Sequence, residues 1–301
     1  MKNTAIKIEN LSFSYSKKQK ALKNLNINVP KGAIYGFLGA NGAGKSTTMQ
    51  LLTGILSSSK KNVFLFEKEL QSQFPFIFSK IGALVETPSL YLHLTGIDNL
   101  RCITKLKEVS EDKISEVLGL VGLSDKGHLK VKQYSLGMKQ RLAIAMTLLG
   151  EPELLLLDEP VNGLDPTGIT EIRELLVKLN KEKGTTIFIS SHLLSEIEKM
   201  CTHIGIIDKG ELKFEGSIEE LESLTKKHKI LVKTKDISTN IELIKNSYKD
   251  VRVENNDCVM IELNSKEEIP VLTKFLITND IPVYEIKIVD GLEEWFLSLT
   301  K

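Results

Sequence analysis

The octapeptide Gly39-Ala40-Asn41-Gly42-Ala43-Gly44-Lys45-Ser46 fits GxxxxGK[ST] at every position. Glycines at that spacing let the backbone bend until successive N–H groups converge on phosphate oxygens, and a helix start behind them adds partial positive charge. Lys45 is long enough to reach the β- and γ-phosphates, and the Ser46 hydroxyl is a hard oxygen donor for Mg²⁺. Gly39, Asn41, Gly42, Ala43, Gly44, Lys45, Ser46 and Thr47 are therefore the expected nucleotide-binding run. A second constellation lies downstream, where Leu154, Leu155, Leu156 and Leu157 lead into Asp158 and Glu159, and Pro160 stops the run. Two chance surface acids would not need that apolar approach. Asp158 is placed to hold Mg²⁺ through water, and Glu159 to face the γ-phosphate as the base that polarises the attacking water.

Both motifs need strands behind them. Ala33–Leu38 is a short apolar run that Gly39 breaks, and a helical pattern follows Gly44. Strand-like alternation marks Ala5–Ile8 and Leu25–Val29, and further apolar strands are expected at Ile81–Val85, Leu154–Leu157, Thr186–Ser190 and Ile204–Ile207. Helical patterns lie between them at Asp112–Val121, Met138–Leu149, Thr167–Glu182 and Leu193–Cys201. Short buried strands alternating with helices predict an α/β domain around a mainly parallel sheet. After Gly216 the texture changes. A charged helix (Ser217–Leu224) leads to strand Ile230–Thr234, helix Ser238–Ser247, strands Val251–Glu254 and Val259–Leu263, helix Glu267–Thr278, strand Pro282–Val289 and helix Gly291–Leu299. That βαββαβ order predicts a small α+β ferredoxin-like domain. The expected division is residues 1–220 and 221–301, with Trp295 and Phe296 anchoring the core of the smaller part.

Alone, Tyr134-Ser135-Leu136-Gly137-Met138-Lys139-Gln140-Arg141-Leu142 is a Ser/Gly helix start, for which a cap is the plain reading. Placed shortly before the Asp158-Glu159 pair, it resembles the signature of ATP-binding-cassette (ABC) ATPases. Asn162-Gly163-Leu164-Asp165 resembles that family's D-loop, Ser190-Ser191-His192 its H-loop, and Tyr15 the aromatic residue that stacks on adenine. The resemblance covers the first 220 residues. It implies a P-loop ABC ATPase core with a helical subdomain, and His192 at the γ-phosphate. It also implies a head-to-tail dimer, as a homodimer or with a paired cassette, in which ATP on one phosphate loop is closed by Ser135 and Gly137 of the other. Asp165 joins the ATP-binding set. Two departures stand out: LSGGQ reads Tyr134-Ser135-Leu136-Gly137-Met138, and the Q-loop glutamine is replaced by Glu86, a carboxylate able to ligate Mg²⁺. With Ala83–Leu100, these departures resemble the branch of lantibiotic-immunity and bacitracin-resistance export ATPases. The family expectation is an ATPase subunit at the inner face of the cell membrane, cytoplasmic and peripheral, working through a separate transmembrane permease. It would power export of a peptide antibiotic or related amphiphile.

Composition narrows the alternatives. Forty basic against 39 acidic residues leave a net charge of +1, so no broad basic field supports direct nucleic-acid binding. The start MKNTAIKIENLSF has no apolar h-region, and no apolar run approaches the ~20 residues that span a bilayer. Cys102, Cys201 and Cys258 are scattered and lack metal spacing, so they are expected to be reduced, buried thiols. The alternative, a soluble ABC-type ATPase acting on nucleic acid or ribosomes, would need a long coiled-coil insertion or a second cassette, and neither is present. A P-loop kinase or GTPase would lack the signature and the H-loop. In the segment after Glu86, at least one of Leu90, Tyr91 and Leu92 is expected to lie exposed for docking.

Overall fold

The computed structural model describes residues 4–16, 19–58, 61–86, 89–224, 228–235 and 237–289. Along the chain, β1 (Thr4–Ser14), β2 (Lys20–Pro30) and β3 (Ile34–Leu38) precede α1 (Lys45–Leu52), β4 (Val63–Leu65), β5 (Lys68–Glu69) and β6 (Ile81–Leu84). Three helices follow, α2 (Gly96–Lys107), α3 (Asp112–Leu120) and α4 (Leu136–Leu148). Then come β7 (Leu154–Asp158), α5 (Pro166–Lys183), β8 (Thr186–Ser191), α6 (Leu194–Met200), β9 (His203–Asp208), β10 (Glu211–Ser217) and α7 (Ile218–Leu224).

The central sheet has the order β10-β9-β3-β8-β7-β6, parallel except for the antiparallel edge strand β10. Every residue of β3, β7 and β8 is buried. Strands covered on both faces need apolar runs rather than alternation, which is why Leu154–Leu157 reads as it does. Each of those leucines contributes roughly 2 kcal/mol by leaving water. Tyr35 of β3 stacks on its cross-strand neighbour Phe188 of β8, with ring centroids 5.2 Å apart. A second sheet, β2-β1-β4-β5, is antiparallel. Its long strands exceed the expected Ala5–Ile8 and Leu25–Val29, because register shifts and the positive-φ residues Asn10 and Asn24 interrupt the two-residue period. Helices α2, α3 and α4 pack on one another as the helical subdomain.

The chain divides into two compact units, residues 1–218 and 219–301. The second holds β11 (His228–Lys233), α8 (Ile237–Ser247), β12 (Val251–Asn255), β13 (Cys258–Leu263), α9 (Ile269–Thr278) and β14 (Glu285–Val289). The sheet order β12-β13-β11-β14, antiparallel throughout, is that of the ferredoxin-like βαββαβ fold. Its core is Ile230, Val232, Val259, Ile261, Leu272 and Leu276. The helix expected at Gly291–Leu299, with Trp295 and Phe296, lies outside the described residues, as do Thr87 and Pro88. Cys201 is buried and its thiol is pushed well above the usual range by desolvation, whereas Cys102 and Cys258 are only half-buried.

Candidate functional site

The phosphate loop joins β3 to α1. Gly44 caps α1 at φ +114°, where a side chain would also lie 2.7 Å from Leu22 Cδ2, so both backbone conformation and space require glycine. At Gly39 a Cβ would fall 2.5 Å from the Ile207 carbonyl oxygen. The loop is held by Gly39 N–H donating to Ser191 O (3.2 Å) and Gly210 N–H donating to Ala43 O (2.9 Å).

Lys45 is 6% exposed, and its ammonium donates to Gly39 O (2.7 Å) and Ala40 O (3.3 Å). It also pairs with Glu159 Oε1 at 3.1 Å. The other Glu159 oxygen lies 2.6 Å from His192 Nδ1. One carboxylate thus bridges Lys45 and His192, and Glu159 takes the left-handed φ of +48° as it leaves β7. Asp158 is buried at the end of β7, and the Ser190 hydroxyl donates to its Oδ1 at 2.5 Å. Ser46, Asn41 and Gly42 are exposed at the loop, and Thr47 is buried.

A second network extends along α1. The Tyr15 hydroxyl donates to Gln50 Oε1 (3.2 Å) and lies 3.1 Å from Thr47 Oγ1, while Gln50 Nε2 donates to Glu86 Oε1 (2.8 Å). Glu86 sits at φ +65°, just past β6. Gln50 is a residue the motifs do not reveal. Its signal was the i, i+3 spacing from Thr47, which puts both on the helix face toward Tyr15.

Ser135 and Gly137 stand elsewhere. Ser135 is the N-cap of α4, with its hydroxyl accepting from Met138 N–H at 3.2 Å. Asp165 caps α5 in the same way, accepting from Gly168 N–H at 3.0 Å. Among the described residues no hydrogen bond or ion pair links Ser135, Gly137 or Asp165 to the phosphate loop. Among the described residues no group of three or more His, Cys, Asp or Glu is gathered to hold a metal, and no helix is long and apolar enough to cross a membrane.

Comparison with known proteins gives a consistent result. The pattern of the family described as ABC transporter matches residues 22–162. The chain is 39% identical to a bacitracin transport ATP-binding protein of Bacillus licheniformis over 99% of its own length and 97% of the relative's. It is 45% identical to a lantibiotic transport ATP-binding protein of Streptococcus pyogenes over 73% of its length and 93% of that protein's. Among solved structures it resembles the dimeric ATP-binding cassette MJ0796 bound to ADP and Pi, with a TM-score of 0.63 and 26% identity over 71% of this chain and 98% of that one.

Proposed function

This chain belongs to the ABC transporter family as its ATP-binding, ATP-hydrolysing subunit, and on that premise we propose that it powers export of a peptide antibiotic or related amphiphile. The observation that carries the chemistry is the Glu159 carboxylate held between Lys45 and His192 at the mouth of the phosphate loop. That carboxylate pairs with the lysine that a γ-phosphate would engage. Arriving ATP takes over Lys45, which frees Glu159 to polarise the attacking water while His192 holds the γ-phosphate.

Ser46, Glu86 and Asp158 supply hydroxyl and carboxylate oxygens, a donor set that suits Mg²⁺. Among the described residues no cluster of three or more acids or imidazoles converges to hold the ion unaided, which fits a metal that arrives with the nucleotide's own phosphates. Bound there, Mg²⁺ would neutralise charge on the β- and γ-phosphates. Tyr15 would stack on adenine. Ser135, Gly137 and Asp165, which among the described residues no hydrogen bond or ion pair ties to the phosphate loop, would serve the nucleotide of a second cassette. Residues 1–220 would then form the catalytic cassette and 221–301 an accessory domain.

A separate transmembrane permease would carry the substrate pathway and hold this subunit at the inner face of the membrane. Supporting this, Tyr91 and Leu92 are 55% and 49% exposed, although their backbone is pinned by Asn99 and Lys132, and Leu90 is half-buried. A cleft of about 480 Å³, lined by Phe78, Val85, Ser89, Ile103 and Met146, opens beside Glu86. Exposed apolar groups rimmed by polar residues mark partner sites. The test is co-purification with candidate membrane permeases, followed by ATPase assays with bacitracin and lantibiotics. Stimulation by one class names the substrate, and indifference to all of them removes the peptide-antibiotic reading.

A further inference from the structure

Strands β7 and β8 run parallel, and their register sets Asp158 beside Ser190. Ser190 is fully buried. Its hydroxyl donates to Asp158 Oδ1 and accepts from the backbone N–H of Glu159 at 2.9 Å. The direction of both bonds is fixed, because a backbone N–H cannot accept, so the single hydroxyl proton must go to the carboxylate. The two bonds serve adjacent residues with different tasks. One selects the rotamer of the buried Asp158 carboxylate. The other satisfies the N–H of Glu159, whose left-handed φ turns the chain out of β7. A non-glycine residue in that region costs about 1 kcal/mol or more and persists only where its surroundings fix it.

We propose that Ser190 is a positioning residue for ATP hydrolysis: its one hydroxyl aims the Asp158 carboxylate and holds the turn that presents Glu159 to Lys45 and His192. This rests on the roles assigned above to Asp158 and Glu159. Without the hydroxyl, Asp158 Oδ1 and the Glu159 N–H both lose their partner, and the carboxylate is free to swing. Supporting groups of this kind typically change metal affinity or activity by about 10–100-fold.

The experiment uses the full chain with Ser190→Ala, Ser190→Cys and Ser190→Thr, alone and combined with Glu159→Gln. Binding of ATP is measured in EDTA and again with Mg²⁺, together with kcat and melting temperature. Ser190→Ala and the near-isosteric Ser190→Cys, a weak donor, are expected to bind metal-free ATP as the parent does. They should lose about tenfold of the affinity for Mg-ATP and about 100-fold in kcat. Ser190→Thr, which keeps a hydroxyl, should restore most of both. On top of Glu159→Gln, Ser190→Ala should lower kcat by clearly less than it does in the parent, because the part of its effect that runs through the placed base is already gone. Should Ser190→Ala fail to fold, the Cys and Thr pair decides alone. Unchanged Mg²⁺ dependence with unchanged kcat in Ser190→Cys overturns the proposal. So does a loss in kcat that simply adds to that of Glu159→Gln. If Glu159→Gln itself turns over normally, the assignment of the base fails instead, and the Mg²⁺ readout still reports on Ser190 and Asp158.

Discussion

At the residue scale the site is an arrangement of charges, and the Lys45–Glu159 pair decides its behaviour. Glu159→Gln keeps the volume and the Asp158 carboxylate but removes the proposed base, so turnover should fall at least about 100-fold. Because the amide no longer neutralises Lys45, ATP should bind at least as tightly as to the parent, and equilibrium binding of ATP with a turnover assay checks both. Lys45→Ala should weaken ATP binding itself, by about tenfold or more, through loss of a charge-assisted partner. A second charge tests the fold rather than the chemistry. Glu215 accepts from Tyr35 Oη (2.8 Å) and Asn28 N–H (2.7 Å), yet burial holds its carboxyl above the usual range despite those bonds. A raised folded pKa means that the folded state binds the proton more tightly. The contribution of this group is therefore complete below the ordinary carboxylate pKa and is lost as pH rises through the folded value. Glu215→Gln should remove that dependence. In urea unfolding at pH 5 and pH 7, the parent's stability relative to the variant should fall with rising pH; a difference that grows with pH would contradict the assignment. The phosphate loop and the Asp158-Glu159 pair were legible in the sequence because each is local and has its own spacing. Ser190 and Gln50 act through a strand register and a helix face that join residues 32 and 36 positions apart, so their roles needed the fold.

At the scale of elements, one residue holds two roles that can be separated. Ser135 starts α4 as its N-cap, and the plain local reading of Tyr134–Leu142 is visible in the structure. The family role places the same hydroxyl against a second cassette's nucleotide. Ser135→Asp keeps a good cap, so its melting temperature should stay close to the parent's, whereas Ser135→Ala should cost about 1 kcal/mol. The carboxylate of Ser135→Asp would face phosphate across the dimer. With Glu159→Gln and Mg-ATP, size measurement should then show monomers that bind ATP but do not pair. Dimers formed as readily as in the parent background would end the shared-site reading. The strands around these helices show where sequence patterns hold and where they fail. β3, β7 and β8 are legible as continuous apolar runs because both faces are covered. β1 and β2 are not fully legible, since turns in φ at Asn10 and Asn24 reset which side chains face inward. β4 and β5 are too short to carry any period.

At the scale of the whole molecule, two cores imply two units able to fold separately. Ile6, Phe37, Leu156 and Phe188 belong to one, and Ile230, Val259 and Leu272 to the other. The match to the shorter transport relative spans 219 residues, about the size of the first unit. Residues 1–220 produced alone should therefore fold and hydrolyse ATP at a rate within a few-fold of the full chain. Loss of cooperative unfolding in that fragment would show that its core depends on the rest. Coupling asks more of the molecule than hydrolysis does, because force must leave through the surface. Glu86, which precedes the segment that carries Tyr91, is tied by hydrogen bonds through Gln50 to Tyr15, and under the proposed function this chain of bonds would link that segment to the nucleotide. Asn99 receives the Tyr91 N–H at 2.9 Å and donates to its carbonyl at 3.1 Å, so the loop keeps its shape whatever side chain stands at 91. The ring contributes little to the core at 55% exposure. Tyr91→Ala should thus leave the melting temperature within about 0.5 kcal/mol equivalent of the parent, as expected for a surface substitution, and leave basal ATPase unchanged. It should weaken co-purification with the permease and abolish stimulation of ATPase by the transported substrate. A variant that melts much lower yet still couples would place Tyr91 in the core and move the docking surface to Leu92 or to the cleft beside Phe78.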